Sequence, residues 1–346
     1  MSTVTPQKPW AVSTKDRTQK IATFLLSALA SYLVVAATPA KGKLAYIAFF
    51  AIFYSITSGL LGWSKFGRRA AADALIQTVI GLLTFITLMP IASILATVIS
   101  KGYKGLSFNL LKTDMSLNAP TDPLNVGGLL HAITGTFILV GIALLLSVPL
   151  GILTALYITE VKGRFTKPIK FLVQAMSGVP SIVAGLFILS AVLYPITKAY
   201  SGFMGSLALT ILMIPTIART SEEVLKLIPN ELREAGVALG GTQWRTVAMI
   251  VLPAARSGLM TAMILGVARI AGETAPLLLL TGGGDKVNPN PFNGSLGSLP
   301  YYIWKSFLTG GTPEAFSRAW GGMLVLLSFI FILFGLARYL SGRKVG

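Results

Sequence analysis

In the stretch LGVARIAGETAPLLLL, residues 265–280, two ionisable side chains stand in an otherwise apolar run. Arg269 and Glu273 are four residues apart, a spacing that puts both on one face of a helix. A charge at the centre of a bilayer costs on the order of 2.5–3.5 kcal/mol on insertion scales, so the two residues need a reason to be there. Two readings follow. In one they form a structural ion pair that locks this helix to its neighbours, although buried pairs rarely add net stability. In the other they are a polar stripe along a solute path. A guanidinium offers a planar fork of donors that matches two oxygens of an oxyanion, and Glu273 can hold that fork in place. Pro276 follows within one turn and is expected to free backbone groups, which is tolerable only inside protein or along a cavity. Residues 178–181, GVPS, are expected to interrupt another apolar run in the same way.

Other chemistry has little support. There is no cysteine, which excludes thiol nucleophiles, disulfides and iron–sulfur clusters. A lone histidine, His131, reads as an ordinary position at the start of a helix, and no His/Asp/Glu cluster has metal spacing. The nearest approach to a phosphate-binding loop is Gly62-Trp-Ser-Lys-Phe-Gly67-Arg68-Arg69. It has Arg where Lys is required and Arg again where Ser or Thr should hold the metal, and no strand precedes it. No catalytic residue, metal site or cofactor is expected in this chain.

The elements that position these residues are read from hydropathy. Of 346 residues 53% are hydrophobic and 12% charged, and mean hydropathy is +0.73, the balance of a polytopic helical membrane protein. A spanning helix needs about 20 apolar residues. Eight runs qualify: 21–39, 44–62, 74–99, 134–158, 172–197, 205–220, 258–280 and 319–340, the sixth being the shortest. The net charge is +17. With the N-terminus inside, nineteen of the 29 Lys and Arg residues fall on the inner side and nine on the outer, with Arg269 left over. The basic excess therefore reports orientation, with both termini cytoplasmic, and not nucleic-acid binding. The first run is expected to be retained, because its basic lead-in is long for a signal peptide and Pro39 sits where cleavage would fall. Two outer loops, 100–133 and 281–318, are long; the Gly-, Asn- and Pro-rich part of the second reads as irregular.

The inner segment 219–256, RTSEEVLKLIPNELREAGVALGGTQWRTVAMIVLPAAR, is too patterned for a plain connection. Val224, Leu225, Leu227 and Ile228 share one face, and Glu234 to Leu239 make a second helical piece that Gly240-Gly241 should end. Trp244, Val247 and Ile250 then resume helical spacing as far as Pro253. Amphipathic pieces of this kind dock into a partner's groove through a few apolar anchors. Glu234-Ala235-Gly236, Gly240, Ile250, Leu252 and Pro253 reproduce the pattern E-A-A-x3-G-x9-I-x-L-P. That pattern resembles the EAA motif of ABC-importer permeases; Gly236 is the one departure, standing where Ala is usual and removing no polar group. ARIAGETAPLLLLTG further resembles the PstA branch, and GLLHAITGT, SGVPSIVAGL, ARTSEEVLKLIPNELREA and LPAARSGLMTAMILGVARIAGETAP resemble segments of that branch in chain order.

The resemblance implies a six-span permease domain over residues 74–346, behind an extension of two further spans over residues 1–73 that lies outside the usual family core. It implies one of two permease subunits of an ATP-driven phosphate importer in the bacterial inner membrane. A homologous PstC-like permease would complete the pathway, and a PstS-like extracytoplasmic binding protein would deliver phosphate. Two PstB-like ATPases, carrying ATP and Mg, would dock at Glu234, Ala235, Gly236, Gly240, Ile250, Leu252 and Pro253. Arg269 and Glu273 would then line the substrate pathway, with Glu273 also able to accept the proton that phosphate retains and sulfate lacks. The alternatives are the same machine for another oxyanion and, from a different class, an ion-coupled secondary transporter.

Overall fold

The computed structural model describes residues 14–38, 42–119 and 122–342; Lys8, Lys41, Arg343 and Lys344 of the charge pattern, and Pro39, lie outside them. The chain forms two compact units, Met1–Ala96 and Thr97–Gly346. In the first, α1 (Thr14–Ala37) is followed by α2 (Lys43–Gly105), which bends at Gly67 (φ 79°, ψ −169°) and runs on past the unit boundary. Positive φ is open to glycine at little cost. The bend folds the two limbs of α2 against each other, so that the hydroxyls of Ser58 and Thr78 lie 3.3 Å apart. Across α1 and the first limb, Ser27 meets Thr57 at 3.1 Å and the rings of Phe24 and Phe50 meet edge-on at 5.0 Å.

In the second unit α3 (Leu130–Leu156) continues into a π-helical turn, Tyr157–Val161. Next come α4 (Thr166–Ser177) and α5 (Ser181–Ile188), the latter extended by a π-helical stretch over Leu189–Thr197. Axes turn by 106° between these two helices, so the expected fifth span is broken at Gly178-Val179-Pro180 as the GVPS signal required. Then follow α6 (Gly202–Lys226), α7 (Asn230–Ala238), α8 (Gln243–Thr246), α9 (Leu252–Ala271), α10 (Ala275–Leu280), α11 (Leu299–Thr309) and α12 (Pro313–Gly342). Among the described residues seven helices are long and apolar enough to span, and the bent α4–α5 pair, taken as one broken span, brings the number to eight. The described part is helical apart from loops and one isolated bridge between Gly282 and Leu296.

The run that looked weakest in sequence is the centre of the second unit. In α6, 67% of the most apolar stretch is buried, against 33% or less in every other single-helix span. It packs on α3, α4, α5 and α9, so its environment is protein rather than lipid and its sequence need not be uniformly apolar. Close approach depends on small residues, as helix pairs in membranes require. A Cβ on Gly151 of α3 would lie 2.7 Å from Ile217 Cγ2, and one on Gly266 of α9 would lie 3.0 Å from Ile217 Cγ1.

At the end of the unit opposite α7, the expected irregular segment holds as far as Ser298, where α11 begins. Arg318 of α12 is fully buried, and its Nη2 donates to the carbonyls of Asp122, Pro123 and Val126 at 2.7, 2.6 and 2.9 Å. Asp114 joins the two long loops by accepting from the Val287 N–H at 3.1 Å. Burial pushes its carboxyl up, but bonds from the Ser116 hydroxyl and the Val287 and Ser116 N–H groups leave it below the usual carboxylate range. The tie therefore persists until pH falls through that lowered value. His131 is buried at the start of α3, edge-on to Tyr302.

Overpacking a close-packed helix contact costs about 1–3 kcal/mol. Gly151→Leu is expected to lower the detergent-solubilised melting temperature accordingly. Gly141→Leu, on the same helix with nothing within 4 Å of its Cβ position, is expected to leave the melting temperature unchanged.

Candidate functional site

The motif segment is a helical hairpin built by local rules. Pro229, extended at ψ 143°, separates α6 from α7. At the far end of α7, Gly240 takes φ +82° and the Gly241 N–H bonds Gly236 O at 3.2 Å, while the Gly240 N–H bonds Val237 O at 2.9 Å. This is the Schellman arrangement, and it satisfies two orphan carbonyls. The Thr242 hydroxyl then caps α8 by accepting from the Arg245 N–H at 3.4 Å. Two expectations need correction here. The first apolar face, Val224 to Ile228, is no separate piece: Val224 and Leu225 belong to α6, and Leu227 and Ile228 to the turn after it. Nor does Pro253 end the resumed helix. A π-helical turn over Val247–Val251, closed by the Leu252 N–H on Val247 O, carries the helix through, and the seventh span runs from Gln243 to Ala271. The widened turn takes the carbonyl of the preceding turn off the proline ring.

The motif residues divide by environment. Glu234 and Ala235 are exposed on α7, and Pro253 is exposed on α9. Leu252 packs on the apolar cluster of Leu156, Leu225 and Val251. Gly236 is buried against α8: a Cβ there would lie 2.5 Å from Thr246 Cγ2 and 2.8 Å from Ile250 Cδ1. Its departure from Ala is thus a steric consequence of Thr246 and Ile250. Exposed apolar residues edge the hairpin, with Leu239 at 87% and Trp244 at 62% of full exposure and Val237 and Met249 beside them in sequence.

What fixes the hairpin to the helical bundle was missed from sequence. Glu160, in the π-helical turn that ends α3, has a side chain only 6% exposed and accepts from Arg233 Nη2 at 2.8 Å and Nε at 3.0 Å. The same guanidinium donates to Leu225 O at 2.9 Å and Ile228 O at 2.7 Å, satisfying carbonyls at the end of α6. Hydrogen bonding to Glu160 raises the Arg233 pKa above its ordinary range. Gln243 adds a bond from its amide to Glu160 O at 2.6 Å. Alongside, Glu222 of α6 takes Lys170 of α4 at 2.8 Å and Lys226 at 2.5 Å. A cavity of about 890 Å³ opens between these groups. The one sequence signal was Glu160 itself, a carboxylate closing the apolar run 134–158.

The Arg269–Glu273 pair does not form. Helix α9 ends at Ala271, Gly272 caps it, and the Glu273 N–H closes back on Ile270 O at 3.1 Å, so the one-face spacing never applies. Gly272 is not left-handed (φ −101°), and the end tightens through this 3₁₀-type i→i−3 bond. Arg269, in the last turn where the helix dipole favours a cation, is exposed, and its Nη1 donates to Thr216 Oγ1 of α6 at 3.4 Å. Glu273 is half-buried in the α9–α10 break, and Pro276 stands in the first turn of α10 rather than inside the span.

A family model described as the binding-protein-dependent transport system inner membrane component matches residues 147–345. The phosphate transport system permease protein PstA 1 of Mycobacterium tuberculosis is 36% identical over 281 residues, 80% of this chain and 92% of its own length. PstA of Pasteurella multocida is 36% identical over 284 residues, 81% of this chain and 98% of its own. The chain belongs to the PstA permease family. The fold resembles that of the MetNI methionine ABC transporter in its inward-facing conformations, with TM-score 0.50 and 17% identity over 62% of this chain and 93% of that one. It also resembles a bacterial ABC transporter involved in import of the polysaccharide alginate, with TM-score 0.50 and 17% identity over 63% and 80%. The interval matched by the family model holds Glu160, Arg233, the whole α7–α8 hairpin and Arg269.

Two outcomes test the permease hairpin. Gly236→Ala should loosen α7 on α8 by about 1–3 kcal/mol and lower the melting temperature in detergent, and adding Thr246→Ala should recover most of the loss. Arg233→Ala leaves Glu160 buried and unpaired, a change costing about 3–5 kcal/mol. Its melting temperature in detergent should fall, with Arg233→Lys intermediate, because three donors on one nitrogen cannot match the four oxygens that Nε, Nη1 and Nη2 reach.

Proposed function

We infer that this permease forms half of the translocation pathway of an ATP-driven importer of inorganic phosphate. The second half is a homologous permease subunit. Two separate ATPase subunits bind and hydrolyse ATP with Mg and dock at α7 and α8, and an extracytoplasmic binding protein delivers the anion. The face carrying α7 is cytoplasmic, as are both termini. The observation that carries the reading is the exposed α7–α8 edge, held to the bundle by Arg233 and shaped by the motif residues Glu234, Ala235, Gly236, Gly240, Ile250, Leu252 and Pro253. Phosphate as the solute is supported by the names of the relatives and by the chemistry of Arg269.

Arg269 and Glu273 contact the anion in this proposal. A guanidinium held by its own carboxylate would bind an oxyanion weakly. Here the ion pair is absent among the described residues, and Thr216 leaves most of the fork free. Glu273 sits on irregular backbone, where it can accept a proton from a bound phosphate and present an unpaired acceptor to sulfate. When the ATPases close on ATP, α7 moves with them. Arg233 passes the displacement to Glu160 and α3, α3 to α6 on which it packs, and α6 through Thr216 to Arg269.

The test is labelled-phosphate uptake in cells lacking their own high-affinity uptake and supplied with the partner subunits. Wild-type chain should restore uptake, and Arg269→Gln, at matched membrane abundance, should lower it by at least about tenfold, the loss of roughly 1.4 kcal/mol of charge-assisted binding. Equal transport by both would make Arg269 structural. Failure of both would leave the family standing and the solute wrong.

A further inference from the structure

The first unit contains a groove that the transport function does not use. It lies between α1 and the two limbs of α2, entirely within residues 19–85, and encloses about 1140 Å³. Small residues such as Ala28, Ala51 and Gly81 leave the space open, while Phe24, Phe50 and Tyr54 wall it. Phe50 stacks on Tyr54 at 5.7 Å, so the wall is a continuous aromatic surface.

One end of the groove is cationic. Lys20 lines it, Arg17 stands one turn earlier on α1, and Arg68 and Arg69 follow the Gly67 bend. Gly62 and Ala74, on either side of that bend, share the groove with Lys20, which puts the bend at the same end. All four cations are exposed, and no ion pair joins any of them among the described residues. Asp73 is the one carboxylate of the unit whose side chain is described.

An apolar trough with an unpaired basic mouth is complementary to a molecule with a long hydrocarbon part and an anionic head. We propose that the groove is a binding site for an anionic phospholipid, its acyl chains on the aromatic wall and its phosphate at Lys20 and Arg17. Clustered basic residues at a helix-bundle mouth bind such headgroups, each cation contributing about 1 kcal/mol near the surface. A partner's transmembrane helix would match the apolar wall but not the four exposed cations at the mouth, which favour an anionic head.

The chain has no cysteine, so a single reporter can be placed cleanly. Gly81→Cys is inside the groove and has nothing within 4 Å of its Cβ position; Ile80→Cys, at a residue 59% exposed and not lining the groove, is the control. Each full-length chain carries a fluorophore at that cysteine. It is reconstituted in nanodiscs containing equal amounts of acyl-nitroxide phosphatidylglycerol or phosphatidylcholine. The expected result is a preference for phosphatidylglycerol over phosphatidylcholine at position 81 of about thirtyfold, matching roughly 1 kcal/mol for each of the two cations. Position 80 should be quenched alike by both lipids. Combining Arg17→Gln with Lys20→Gln should remove the preference at position 81 without changing the melting temperature. Equal quenching at position 81 by the two lipids overturns the proposal, as does a preference that survives loss of both cations. Protection of position 81 from both lipids, with position 80 still quenched, shows protein in the groove and overturns it as well.

Discussion

Within a bilayer the backbone has no water to bond, so each interruption of a helix must be closed by protein. This constraint orders most of the second unit. The π-helical turn ending α3 closes on Lys162, in the left-handed region at φ 51°, whose N–H reaches Tyr157 O at 3.0 Å. The π-helical end of α5 closes the same way on Lys198, at φ 52°, with a bond of 2.6 Å to Leu193 O. A lysine is strained in that conformation, but its cation meets the negative end of the helix dipole there. The end of α9 closes through the Glu273 N–H, and the end of α6 through Arg233. Interruptions and charges therefore coincide: the free backbone that needs partners sits beside Lys162, Lys198, Arg233 and Glu273.

The α7–α8 hairpin shows how a small surface element gains stiffness. Its own helices are short, and isolated helices of that length are marginal. Stiffness comes from one guanidinium that serves a buried carboxylate and two carbonyls at once, and from Gly236, which lets α7 lie directly on α8. Behind it, α3 and α9 bring glycines against the same residue of α6, Ile217. A displacement delivered at α7 thus meets close-packed contacts rather than compliant loops.

Much of this could be read from sequence, and the failures have physical causes. Apolar runs located the spans because lipid selects on composition alone, and α6 was faint because protein surrounds it. The break at residues 178–181 announced itself through Gly178 and Pro180. Pro253 misled because a π-helical turn absorbs a proline that a regular helix cannot. Arg269 and Glu273 misled because Gly272, which lies between them, ends the helix that the spacing argument assumed. Glu160 and Arg233 are 73 residues apart, and no local pattern joins partners at that distance. The motif residues were legible as a set, but the glycine at position 236 follows from the packing of Thr246 and Ile250, which no local pattern reveals.

The bend at Gly67 bears on how the chain enters the membrane. A single non-helical residue separates two long apolar limbs, with no loop on which one limb could rest at the surface while the other crossed. The pair is therefore suited to enter as one preformed hairpin, its tip held in water by Arg68 and Arg69. A nascent chain that inserts this way commits two spans in one step, before residues 147–345 have been synthesised. The first unit would then be an early anchor that sets the sidedness of everything made after it.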